Sequence, residues 1–317
     1  MASLIVQRWR VRCFSRRGGK MMIGRLGKKW LAGLFILFSV LLAGCVNSEA
    51  DLLSKHNAIT VEQWGEISAD ELADALEKGE FNPDQLILNT ANGKRLSILP
   101  AIVMAAFNDQ EEHIRLLLDY GANPDLSGKI GSYELTALNI AAHNEQMEMM
   151  EMLLKAGANP NIRTKKIANR TTLHHLLDVL EEGLNEKEMM ARDEELKNII
   201  ALLVAKGADI NAVDENGENI IHYLTLQCKA DLIRYAVQMG ANINHENEDF
   251  GTPLLRASKV FRDSIPALLE AGADPNYVSS KGGVFTPLNI AVVVVPNPTI
   301  VIQTLLDGGA DIDLGKV

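Results

Sequence analysis

Aromatic residues make up only 5% of the 317-residue chain. That excludes a core built on clustered rings, and the apolar content falls to Leu, Ile, Val, Met and Ala, which suit thin layers of paired helices better than one large core. Cysteine is as scarce: Cys13, Cys45 and Cys228 stand in no spacing that reads as metal or redox chemistry, so no disulfide framework is expected, and Cys228 reads as a small buried hydrophobe. No nucleophile elbow, P-loop or dinucleotide fingerprint occurs, and the adjacent His174 and His175 cannot form the i, i+4 pair of a zinc-binding helix. With no convergent nucleophile, base and oxyanion donor, the chain does not read as an enzyme, and no cofactor or metal site is expected. Basic residues are few once the first 44 are set aside. That segment holds nine of the 31 Lys and Arg and no acid, leaving 22 basic against 41 acidic residues, a net charge of −19. Such a surface repels nucleic acid and anionic lipid headgroups and mildly favours a basic partner.

No apolar run is long enough to span a bilayer. The longest runs from Leu31 to Ala43, 13 residues against the roughly 20 a spanning helix needs. Its basic flank and small-residue ending mark a secretory signal. The closing Leu42-Ala43-Gly44-Cys45 resembles the lipobox of bacterial lipoproteins. The resemblance implies cleavage before Cys45 and acylation of Cys45 on sulfur and on its new amino group, attachment to the membrane by this lipid anchor only. By the family's sorting rule, Val46 implies the periplasmic face of the outer membrane, with the inner membrane as the alternative. A start at Met21 or Met22 gives a signal of ordinary length. Residues 1–44 are therefore set apart as signal peptide and 45–67 as a lipidated tether, with the folded domain expected over 68–317.

Within that domain one pattern recurs. In Thr136–Asn161 a capping Thr opens a helix that points Leu138 and Ile140 into a core, and the small Ala141 and Ala142 admit a close neighbour. A second helix follows through Met149, Met150, Leu153 and Leu154, and Gly157 supplies the left-handed residue that stops it, before Asn159-Pro160-Asn161. Equivalent closures begin at Gly121, Gly207, Gly240, Gly272 and Gly309, so that successive spacings are 36, 50, 33, 32 and 37 residues. The openings Thr252-Pro253-Leu254, Thr286-Pro287-Leu288 and Thr171-Thr172-Leu173-His174 complete the unit; Asn219-Ile220-Ile221-His222 and Pro100-Ala101-Ile102-Val103 are degenerate versions. The pattern resembles the ankyrin repeat. It implies a mainly α fold, a solenoid of stacked helix-turn-helix units with short β-hairpin fingers: six repeats after an N-terminal half-repeat cap opened by Ser68 and Glu71. In such repeats the ring of His174 or His222 hydrogen-bonds neighbouring units. The long spacing comes from repeat three, where about 15 extra residues rich in Glu, Lys, Met and Leu read as longer, projecting helices. Gly128 and Gly131, and Gly282 and Gly283, read as turn residues of long fingers.

The resemblance further implies a non-catalytic protein–protein interaction module. Its contacts fall on the pair following each Ala-Ala equivalent and on the finger tips: Phe107, Asn108, His143, Asn144, Asp178, Lys259, Tyr133, Phe250 and Phe285. Leu154 and Leu269 are expected in the core. The partner's identity is open, and two specific roles fit: an immunity protein that neutralises a toxin delivered to the periplasm, or an envelope structural or assembly factor. The final repeat, with Val292 to Val295 unbroken and Ile300, Val301 and Ile302 following, is unusually apolar for an array's end. It is either covered by the residues after Asp313 or is a contact for a partner or a second copy.

Overall fold

A computed structural model describes residues 59–314 apart from 92–93, 132, 165–168, 179–185, 250, 261, 280–284 and 296–297. The signal segment, Cys45 and the tether to residue 58 therefore lie outside the described residues, as do Phe250, Gly282 and Gly283. The described chain falls into an N-terminal unit, residues 59–176 with 206–208, and a C-terminal unit, 177–205 with 209–314.

The N-terminal unit is built from helix pairs and two β elements. The first strand, β1 (Ile59–Thr60), pairs in parallel with β2 (Leu86–Ala91), which runs antiparallel to β3 (Lys94–Pro100). Thr60 and Gln63 form a capping box that opens α1 (Val61–Glu66), and Ser68 and Glu71 form the next, opening α2 (Ala69–Glu77). Both β1 and α1 thus lie within the stretch 45–67 read as tether. The reason is Trp64, which is fully buried against Phe81 and His113 and donates its indole N–H to Gln110 Oε1 at 2.9 Å. A single Trp inside a polar stretch was the signal for it.

Two repeats follow as α3 (Ala101–Phe107) with α4 (Glu111–Asp119), and α5 (Ala137–His143) with α6 (Met147–Lys155). Ala105, Ala106, Ala141 and Ala142 have no exposed surface, which lets the inner helices α3 and α5 pack side by side. Thr136 caps α5 through the Asn139 N–H, and Asn139 Nδ2 reaches Thr172 Oγ1 of the next inner helix, α7 (Thr172–Leu176), at 3.1 Å. The degenerate opening at Pro100 carries no side-chain cap. Between the repeats, β4 (Ser127–Ile130) and β5 (Tyr133–Thr136) form a hairpin finger. Gly131 sits in its turn with φ 60°. Gly128, read as a turn residue, lies instead within β4, where a Cβ would come 2.5 Å from Leu99 Cδ2. It is there to let the strand approach the preceding finger. The β2/β3 hairpin is a longer finger that the sequence reading had not marked.

In the C-terminal unit, α8 (Glu186–Ala205) is one helix of 20 residues. The described part of the extra length of repeat three lies in α8; α7 has only five residues, and residues 179–185 lie outside the described set. Leu196, Ile199, Ile200 and Leu203 bury one stripe of α8, and Lys229 pairs with Asp193 at 2.7 Å, holding the helix to repeat four. Three helix pairs follow: α9 (Ile220–Leu226) with α10 (Ala230–Gln238), α11 (Pro253–Lys259) with α12 (Ile265–Glu270), and α13 (Pro287–Val294) with α14 (Thr299–Asp307). Leu154 is buried as expected, but Leu269 keeps part of its side chain at the surface. Cys228 is half-buried in the turn between α9 and α10 with φ 55°, a bend residue and not a core one.

Both units repeat one hydrogen-bonded closure. The first Asn or Asp after each closing Gly-Ala accepts the N–H two residues on, as in Asn159 with Asn161 at 2.9 Å. The second reaches the next repeat: Asp125 accepts from Asn159 N, and Asn276 both accepts from Asp311 N and donates to Gly309 O. Sequence reading had assigned these residues only a turn-forming role.

Candidate interaction surface

The array leaves two kinds of position free of core duty. The inner helices α3, α5 and α11 each end one residue beyond a buried small residue, Ala106, Ala142 and Ser258, so the side chains there turn from the packed layer towards the surface. In the N-terminal unit, Phe107 is the half-buried last residue of α3 and Asn108 its exposed C-cap; His143 and Asn144 hold the same places on α5 and are both exposed. Because α3 and α5 pack side by side, these four residues form a row. The chain then turns through Asp109 and Glu145 at φ 59° and 57°, a left-handed bend that fixes where the row ends. The Asp109 carboxylate also accepts from Gln146 Nε2, tying adjacent turns together. Tyr133 lies half-buried on β5 of the finger.

The C-terminal unit holds the remaining positions. Asp178 is exposed two residues after α7. Lys259, the last residue of α11, and Phe285, 36% exposed, line one shallow cleft together with Leu255 and Ser279; Glu248 and Asp249 stand at its lip. The cleft thus brings Lys259 and Phe285 together, while Asp178 is not part of it. Glu248, Asp249 and Leu255 were not singled out from the sequence, although the acidic run between Asn244 and Gly251 was a visible signal. Partial burial and the nearby Arg256 lower the pKa of Lys259, and Arg256 itself is engaged by the buried Glu218. The finger behind the cleft is fastened by Glu246, which accepts from Tyr277 Oη at 3.1 Å and from Ser279 Oγ. Phe250 lies outside the described residues.

Three buried histidines, His174, His175 and His222, serve the scaffold. His222 Nε2 meets Gly251 O of the next repeat at 3.1 Å and its Nδ1 lies 2.8 Å from Asn219 Oδ1. Burial drives its pKa down to about 3, with Arg256 and His245 adding to the effect against Asp214 and the Gly251 carbonyl. His174 Nδ1 lies 2.8 Å from Thr171 Oγ1 in its own repeat. His175 is also buried, and burial, aided by Arg170, His143 and His174, lowers its pKa to about 3. Among the described residues no group of three or more His, Cys, Asp or Glu is placed to hold a metal ion, and no helix is long and apolar enough to cross a membrane.

Comparison with known proteins agrees with this geometry. A segment of 105 residues, 30% of the chain, is 32% identical to an ankyrin repeat protein of Acanthamoeba polyphaga mimivirus. The match spans only 16% of that protein's length. Among solved structures, an ankyrin repeat domain from Acinetobacter baumannii AYE superposes with a TM-score of 0.52 at 23% identity, covering 66% of this chain and 98% of that one. The ankyrin repeat domain of Bcl-3, a member of the IkappaB protein family, superposes with a TM-score of 0.55 at 21% identity, covering 74% and 90%. At these identities the superpositions speak for the fold alone. The family profile described as ankyrin repeats in three copies matches residues 75–164 and 188–279, more than half of the sequence, and the chain belongs to the ankyrin-repeat family.

Proposed function

We propose that this protein is a lipid-anchored ankyrin array of the bacterial envelope, held by acyl chains on Cys45 at the periplasmic face of the outer membrane and binding a protein partner there. The ankyrin repeat is a non-catalytic scaffold, and its use as a protein–protein interaction module fits the observation that carries this reading. Side chains at the inner-helix ends, Asn108, His143 and Asn144 among them, are exposed although each follows a fully buried segment. Such positions cost the fold little and are free to serve a contact. The anchoring half rests on the Leu42-Ala43-Gly44-Cys45 ending of the signal segment. Two or more acyl chains give lasting attachment where one does not.

A basic partner is the better fit to the C-terminal unit, whose fingers expose Glu215, Glu248 and Asp249. That acidity also favours the narrower reading of an immunity protein that covers a basic toxin reaching the periplasm.

Replacing Cys45 tests the anchor. In Cys45→Ser, fatty-acid label should no longer enter the protein, and the chain should leave the membrane fraction. Label retained by Cys45→Ser together with unchanged membrane fractionation places the anchor elsewhere and overturns this half of the reading.

A further inference from the structure

The last helix pair exposes apolar side chains at positions that are buried or polar in other repeats. Six residues beyond the capping residue, Ala106, Ala142, Thr225 and Ser258 are fully buried, whereas Val292 is 55% exposed. Three residues beyond the closing glycine, Ile210 and Ile243 are each 8% exposed, and Ile312 is 70% exposed. Burial at these places inside the array comes from the next helix pair.

The end is also more apolar than an uncovered repeat needs to be. Nine residues before the closing glycine the other repeats carry Glu112, Glu148, Asn198, Asp231 and Asp263, all exposed and polar. The final repeat carries Ile300, 81% exposed. Val293 and Val294, 76% and 50% exposed, stand where α5 ends in His143 and Asn144. From Thr286 to Leu306 there is no Asp, Glu, Lys or Arg, in a chain whose charge beyond residue 44 is −19. Contiguous exposed apolar surface of this kind marks an interaction site.

We propose that this face of α13 and α14 docks on the same face of a second copy of the chain, forming a closed two-fold dimer. Like charge repels across a symmetric contact, and the stretch from Thr286 to Leu306, which holds Val293, Val294 and Ile300, carries none before Asp307 at the far end of α14, so it is self-compatible in a way the acidic remainder is not. Head-to-tail stacking meets the opposite situation. The N-terminal helices α1 and α2 expose Glu62, Glu66, Asp70 and Glu77 beside Glu71, which accepts from Ser68, and Asp74, which pairs with Lys78, and covering them with Val293 and Ile300 strips carboxylates of water while adding no partner. The inference goes beyond partner binding at Phe107, Asn108, His143 and Asn144 and uses none of those residues.

Sedimentation of the full chain carrying Cys45→Ser, so that no acyl group contributes, tests it. A concentration-dependent dimer is expected. Val293→Glu with Ile300→Glu should weaken it by roughly two orders of magnitude, with a thermal melt that matches the parent chain at concentrations where both are monomeric. Mixing that variant with Val293→Lys, Ile300→Lys should restore a dimer that neither forms alone. Should the paired variant fail to fold, Ile300→Glu alone serves, since Glu112 and Glu148 occupy that position in folded repeats. A chain that stays monomeric at its solubility limit overturns the proposal. So does a dimer that the charged variants leave intact, or wild-type assembly that grows without closing.

Discussion

Acidification from pH 7 to pH 5 should cost the fold about 2 kcal/mol for each of His175 and His222. Both are held neutral in the folded chain with pKa near 3, against 6.5 for an exposed histidine. Between those values the unfolded chain binds protons that the folded one refuses. The stability they contribute is therefore complete above pH 6.5 and is lost as pH falls towards 3. At pH 5 most carboxylates remain ionised, so the histidines act without a general change in the acidic surface. Urea midpoints at pH 7 and pH 5 read the effect, and His175→Gln should remove about half of the difference. A midpoint that is flat across this range contradicts the buried neutral state of both rings.

Truncation of Leu153 to Ala should destabilise the protein by about 2 to 5 kcal/mol, because the side chain is fully buried in α6 and its removal leaves a cavity between stacked helix pairs. In an array each unit is stabilised largely by its neighbours, so the loss spreads to the adjacent repeats. Glu151→Ala, two residues away and exposed, should change stability by no more than about 0.5 kcal/mol. Urea denaturation of the two variants checks the contrast, and equal effects would show that α6 does not pack as described.

Why the repeats were legible in sequence follows from their physics. Closing glycines such as Gly157, at φ 91°, are needed where the backbone turns left-handed, and the small pairs such as Ala141-Ala142 are needed where helices touch. Those demands leave fixed residues at fixed spacing. Trp64 and β1 were missed because their partners, Gln110 and Ile87, are far along the chain and no local pattern records the pairing. Gly128 was misread for a related reason: a glycine needed for close approach looks the same in sequence as one needed for a turn. The exposed inner-helix ends were legible as a set of positions, since Asn108, His143 and Asn144 follow the buried pairs by simple counting. The lip formed by Glu248 and Asp249 was not, because it depends on how one finger lies beside the next helix.

Comparing what the intact array and a surface-altered array retain from a bacterial envelope extract tests the central claim most directly. Phe107→Ala, Tyr133→Ala and Phe285→Ala are combined in one chain, with circular dichroism and the urea midpoint confirming that the fold is unchanged. The account predicts that a protein captured by the wild-type chain is lost, or held at least about tenfold more weakly, by the triple variant. Capture of the same protein with full affinity by the triple variant would contradict it.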